Sequence, residues 1–300
     1  MSIRRSLWVL TALICLAFES IAARAAAPGY DAIYVFGDSY CDVGNIYAAT
    51  SHAIPLSPPY FSGRFSNGPI WVEHVASAWG LPMTASLLGG TDYAFGGAYV
   101  TSDQTTALGS IPSVPHQVEL YLSQHGGHAD PKALYVIEGG GNDILGASGG
   151  SAEDLGYQIA LGIAESERLL RRAGAEKFLI PDLLDVGQLP AARANASFAS
   201  AATVATNKAL DRLLGHEELL ERVRIHRLDV FSLFHDVAAD STHFGFTDIT
   251  DPCLNPAPCS DPDHTLFWDA EHPTEFGHAF FAVTVEASLS HEAVSWRYPQ

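Results

Sequence analysis

The stretch Ala32-Ile33-Tyr34-Val35-Phe36-Gly37-Asp38-Ser39 constrains this chain more than any other. Five mostly apolar, partly β-branched residues end abruptly in Gly-Asp-Ser, which reads as a buried strand entering a turn. Gly37 allows a tight or left-handed backbone at that turn, and Asp38 favours a turn or a helix N-cap. A serine delivered at the C-terminal end of a buried strand stands where open α/β sheets place their active sites. Taken alone, the tripeptide reads more readily as a plain strand-ending turn, so its meaning depends on the rest of the chain.

Three further strands follow the same pattern. Ala133-Leu134-Tyr135-Val136-Ile137 leads into Gly139-Gly140-Gly141-Asn142-Asp143 and delivers Asn142 at a strand end. Glu176–Ile180 is closed by Pro181-Asp182, and Arg224–Asp229 is a shorter strand. Thr91 to Ala98 reads as another strand, entering the Gly96-Gly97 turn. Helical spacing marks Trp71 to Trp79, Gln117 to Gln124, Ala152 to Ala173, Ala196 to Arg222 and Thr274 to Ala287, the last with Pro273 suited to its first turn. Strands alternating with helices predict a parallel sheet covered on both faces.

The N-terminus reads as a secretory signal over residues 1–25. Arg4 and Arg5 precede an apolar stretch from Leu7 to Phe18, and Ala23-Arg24-Ala25 offers small residues for cleavage. Residues 26–300 are expected to form one domain of an exported protein, secreted or periplasmic. Removing Arg4, Arg5, Arg24 and Glu19 leaves 33 acids against 13 Lys and Arg, a balance of −20. Such a field repels phosphate backbones, so nucleic acid is not an expected partner. Contact with membrane lipid is expected to be peripheral at most. Beyond the signal, Cys253 and Cys259 flank a proline-bent loop and form the natural disulfide in an oxidising compartment, leaving Cys41 as a buried thiol.

Phe267 to Glu275 carries Asp269 and His272 in a loop before the final helix, a spacing that gives the histidine a carboxylate within reach. Asp248, Asp251, Asp261, Asp263 and His264 lie nearby and leave a metal site as the other reading of this region, although oxygen-ligand loops show tighter spacing. The aromatic stretch Pro58 to Gly68 is either a packed Ω-loop or a wall of a substrate site.

Four blocks now stand in order: Phe36-Gly37-Asp38-Ser39, Ala94-Phe95-Gly96-Gly97, Gly139-Gly140-Gly141-Asn142-Asp143 and Asp269-Ala270-Glu271-His272-Pro273. With them the chain resembles the SGNH/GDSL hydrolase family. Pro58-Pro59-Tyr60-Phe61 and Gly63-Arg64-Phe65-Ser66-Asn67-Gly68 are similar to its bacterial lipase, lysophospholipase and thermolabile-haemolysin branch. The resemblance implies a flavodoxin-like three-layer α/β/α sandwich. It implies Ser39 as nucleophile, His272 as general base and Asp269 as its orienter. The oxyanion donors would be the Ser39 amide, Asn142 and Gly97, with Gly96 as the alternative to Gly97. The chain departs from the pattern at Tyr40, where a leucine is usual, at Cys41 after it, and at Asp92, where an asparagine is usual. The expectation is a cofactor-free, metal-free, monomeric serine esterase acting on a small-molecule ester or on a lipid or lysophospholipid ester. Its alternatives are a carbohydrate O-acetyl esterase, an acyltransferase, and an exported binding or adhesion protein that keeps the fold. No Gly-x-Ser-x-Gly elbow surrounds Ser39, which excludes the α/β-hydrolase signature.

Overall fold

The computed structural model describes residues 29–106, 109–221 and 224–289. The expected signal segment, residues 1–25, lies outside the described residues. The elements are β1 (Ile33–Phe36), α1 (Asn45–Ala49), α2 (Trp71–Trp79), β2 (Gln104–Thr106), β3 (Gly109–Ile111), α3 (Val114–Gln124), β4 (Leu134–Ile137), α4 (Gly141–Leu145), α5 (Ala152–Arg172), β5 (Lys177–Pro181), α6 (Ala196–Glu221), β6 (Arg224–Leu228), α7 (Val230–Ala239) and α8 (Glu275–Leu289). β2 and β3 make a small antiparallel hairpin apart from the main sheet.

The main sheet is parallel, in the order β1-β4-β5-β6. Residues 91–95 extend its β1 edge: Val35 N donates to Thr91 O (3.2 Å), Tyr93 N to Val35 O (2.7 Å) and Phe95 N to Gly37 O (3.1 Å). Counting that segment second in the chain gives the spatial order 2-1-3-4-5 of flavodoxin-like sheets. The Thr91 to Ala98 stretch is thus strand-like, as expected, but only its first half pairs with β1, because the chain turns away at Gly96-Gly97 to reach the site.

Period-2 alternation sorts the strand side chains into two cores. Ile33, Val35, Leu134, Val136 and Leu179 face α2 and α8, while Phe36, Tyr135, Ile137, Phe178 and Ile180 face α3, α5 and α6. Phe36, Ile137 and Phe178 are each fully buried, worth about 1.5–3 kcal/mol apiece in apolar burial. α2 buries Trp71, Val72, Val75, Ala76 and Trp79, one stripe at helical spacing, and Glu73 caps its start by accepting from Ile70 N (3.0 Å). α5 is capped by Ser151 and carries Glu153 and Asp154 in its first turn and Arg171 and Arg172 in its last, complementing the helix dipole.

Gly37 is not left-handed. Its role is close approach: a Cβ there would lie 3.0 Å from Glu138 Oε2 and 3.2 Å from Glu138 O. The Cys253–Cys259 disulfide is formed, with Cα atoms 4.7 Å apart, and Cys41 is a buried free thiol. Among the described residues no helix is long and apolar enough to cross a membrane.

Candidate active site

The C-terminal ends of β1 and β4 deliver Ser39 and Asn142 to one edge of the sheet, and the loop before α8 brings His272 over them. Ser39 Oγ lies 2.7 Å from His272 Nε2. His272 Nδ1 is 2.9 and 2.8 Å from the two carboxylate oxygens of Asp269. Asp269 Oδ1 also accepts from the amides of Glu271 and His272 (both 2.8 Å), so the carboxylate shapes the loop that carries the imidazole. Burial raises the Asp269 carboxyl, but the His272 charge and the hydrogen bonds from His272, Tyr60 and Glu271 N outweigh it and bring it down to about 2. Burial lowers the His272 imidazole, and the Asp269 charge and hydrogen bond more than reverse that, leaving it raised. A hydroxyl, an imidazole and a carboxylate in this line can pass a proton from oxygen to ring while holding the ring in one tautomer.

Of the other predicted donors, Asn142 lines the same cavity as Ser39. Gly96 N donates to Asp42 Oδ2 (2.8 Å), so its amide is taken. Gly97, at φ +79°, makes no such bond among the described residues and separates from its neighbour on that ground. Asn142 Nδ2 sits 3.2 Å from Asp38 Oδ2 and 3.1 Å from Ala98 O, which accounts for both its N–H groups in the resting site.

Sequence reasoning missed several supports. Tyr60 Oη donates to Asp269 Oδ2 (2.7 Å). Its loop is stitched to the histidine loop by Ser66 Oγ to Pro273 O (2.9 Å) and by Glu275 N to Asn67 Oδ1 (2.7 Å), with the Phe65 ring 5.1 Å from that of His272. The Pro58 to Gly68 stretch is therefore packed, and it packs on the site. Tyr40, the departure from leucine, sets its ring edge-on to His272 and donates from Oη to Glu271 O (2.6 Å). Asp42 accepts from Gly44, Asn45, Ile46 and Gly96 amides and ties the serine turn to the glycine turn. The Asp-x-Gly-Asn run in Asp42 to Asn45 was the available signal, read only as a polar turn. Asp92, fully buried, accepts from Val43 N (2.8 Å) and Ala94 N (3.0 Å). Burial and the neighbouring Asp42 charge push its carboxyl well above the usual range.

Three of the four acids of the suspected metal region have other partners. Asp248 accepts from the Thr250 and Asp251 amides, Asp251 pairs with Arg193, and Asp261 with His264. Among the described residues no three His, Cys, Asp or Glu side chains are grouped to hold a metal ion.

Ser39, Asn142 and His272 line a cavity of about 130 Å³. Leu183, Val186, Leu189, Leu233, Phe234 and Phe267 are among the side chains that line it.

A family model described as GDSL-like lipase/acylhydrolase matches residues 33–284. The chain belongs to this family. As a GDSL lipase/acylhydrolase it is a carboxylic ester hydrolase. It is 28% identical over 244 residues to a phosphatidylcholine-sterol acyltransferase of Aeromonas hydrophila, covering 80% of this chain and 70% of that protein. It is 25% identical over 276 residues to the thermolabile hemolysin of Vibrio parahaemolyticus, covering 83% of this chain and 62% of the hemolysin. With a GDSL esterase/lipase of Arabidopsis thaliana it shares 27% identity over 331 residues, covering 87% and 88% of the two chains.

Proposed function

We propose that this GDSL hydrolase is an exported, monomeric serine esterase that cleaves acyl esters of lipids or lysophospholipids through an acyl-enzyme. Ser39 is the nucleophile. His272, with Nδ1–H held by Asp269, takes the Ser39 proton at Nε2 as Oγ attacks the acyl carbon. The oxyanion that forms is met by the Ser39 and Gly97 amides and by an Asn142 N–H drawn from its resting acceptor. His272 then protonates the leaving alcohol, and water repeats the sequence to free the acid. Asp269 moves no proton; it fixes the ring and stabilises the imidazolium.

The observation that carries the substrate class is the apolar cavity opening beside Ser39 Oγ. It suits a hydrocarbon chain and offers few partners for the hydroxyls of a sugar. One of the relatives is named for lipid chemistry, a phosphatidylcholine-sterol acyltransferase, and it keeps transfer to an alcohol as the second reading. The test is a series of p-nitrophenyl esters from acetyl to palmitoyl together with a lysophospholipid, assayed with and without an acceptor alcohol. The esterase reading expects turnover that rises with acyl length. Activity confined to the acetyl ester would point to an O-acetyl esterase and contradict it.

A further inference from the structure

The Asp269 carboxylate is met by donors from two sides. Its Oδ1 accepts from Glu271 N and His272 N, both at 2.8 Å and both in its own loop. Its Oδ2 takes the Tyr60 hydroxyl at 2.7 Å, from 209 positions away in the chain. His272 Nδ1 lies 2.9 and 2.8 Å from the two oxygens, so it shares Oδ2 with the phenol. The Tyr60 ring is fixed in turn. It stands edge-on to Phe65 and Trp268, with ring centroids 6.3 and 6.4 Å away. Its loop is tied to the chain after His272 through Ser66 and Asn67. A line of hydrogen bonds therefore runs from Tyr60 through Asp269 and His272 to Ser39, one member longer than the proposed mechanism uses.

We propose that Tyr60 is a positioning residue that acts through Asp269: its hydroxyl draws part of the carboxylate's charge away from His272, and so lets the imidazole give up its proton at lower pH. This rests on the reading of His272 as the general base. The two amides on Oδ1 already set the place of the carboxylate, so the contribution of the phenol is electrostatic. A donor on a carboxylate stabilises its charge, and an imidazole beside a satisfied carboxylate is less basic than one beside a bare carboxylate. The base must be neutral to take the Ser39 proton. Too strong a pull from Asp269 would leave it protonated and idle over the acid part of the range. Burial lifts the Asp269 carboxyl, but the His272 charge and the bonds from His272 and Tyr60 bring it down to about 2, so it stays ionised. The Tyr60 phenol is pushed up, first by burial and then by Asp269, so it stays a neutral donor.

The other groups facing His272 are accounted for. Glu271 stands beside it in the same loop, and Asp38 comes from the turn after β1; both charges act on the imidazole in the same direction as Asp269. Tyr40, on that turn, sets its ring edge-on to His272, and its phenol is pushed up by burial and stays neutral. His278 of α8 is pushed down to about 3, mainly by burial, and is neutral as well. Replacing the Tyr60 hydroxyl alters none of these.

The experiment measures kcat/KM on one soluble ester from pH 5 to 9 for wild type, Tyr60→Phe, Asp269→Ala and the double variant. Phenylalanine keeps the ring against Phe65 and Trp268 and removes the hydroxyl alone. The Tyr60→Phe enzyme is expected to have its acid limb moved upward by about half a pH unit, part of the worth of one bond to a charged group. It is then about threefold slower than wild type on that limb, and within about twofold of it on the plateau. Asp269→Ala moves the limb the other way, and adding Tyr60→Phe to it moves the limb no further, because the hydroxyl has lost the group it acts through. A Tyr60→Phe limb that coincides with wild type's overturns the proposal. A limb moved downward does so too, since the phenol would then merely press Asp269 onto the ring. So does a shift as large with Asp269 gone as with it present. A His272→Ala enzyme with wild-type activity overturns the reading of the base itself, a result distinct from an active, His272-dependent enzyme whose limb ignores position 60.

Discussion

At the scale of the residue, the proposed mechanism separates side chains that move protons from those that hold them in place. Ser39→Ala and His272→Ala are each expected to lower kcat/KM by roughly a thousandfold or more, with the fold retained. Asp269→Ala is expected to cost at least about tenfold less, as carboxylate deletions in such triads do. The amides of Glu271 and His272 lose their acceptor in that variant, but Tyr40 Oη on Glu271 O and Trp268 N on His272 O (2.7 Å) still hold the loop. The base must be neutral to act, so the rate rises as His272 loses its proton. Asp269 holds that imidazole raised, and its removal moves the acid limb of kcat/KM to lower pH; a limb that stays in place contradicts the assignment. Asn142→Ala should lower kcat by about 10²–10³ with little change in KM. The hydrogen-bonded grouping of Ser39, His272 and Asp269 was legible because its members sit in short, recognisable runs. Tyr60 was not. Its bond to Asp269 spans 209 positions of chain, and nothing local in an aromatic loop says which ring will meet a carboxylate.

At the scale of the element, alternation and turn chemistry located all four strands of the main ladder and the longer helices to within a few residues. They are self-sufficient signals: β1, β4 and β5 are largely continuous apolar runs, and the helices carry one apolar stripe. The hairpin of β2 and β3 went unread, because Gln104–Thr106 and Gly109–Ile111 are three-residue polar strands mostly open to solvent, with no buried face to impose a period. Gly37 was read as allowing a tight or left-handed turn, when its job is clearance for Glu138, which follows a different strand. The disulfide was legible from two cysteines and the intervening prolines. It braces the wall behind the site, since Cys253 N and Leu254 N donate to Phe267 O (2.9 Å) and Trp268 O (2.7 Å). Replacing Cys253 and Cys259 together with serine should lower unfolding stability by about 2 kcal/mol, the entropy of so short a loop. Denaturant melts of both forms check it, and an unchanged midpoint contradicts it.

At the scale of the whole molecule, one doubly wound sheet gathers four distant blocks at its strand ends and leaves an apolar cavity between the sheet and the C-terminal helices. That cavity is lined mostly by apolar side chains, so each methylene of an acyl chain that enters it leaves water. Across the p-nitrophenyl series kcat/KM should climb with acyl length, by about fourfold for each methylene that is buried, the worth of one buried CH₂. A series flat from acetyl upward would mean that the acyl chain lies elsewhere. The central claim is that Ser39 carries the acyl group, and intact-mass analysis after treatment with a fluorophosphonate tests it most directly. The account predicts one adduct per chain, mapped to the peptide holding Ser39, absent in Ser39→Ala and slowed severely in His272→Ala. An adduct on another residue, or undiminished labelling of Ser39→Ala, would contradict it.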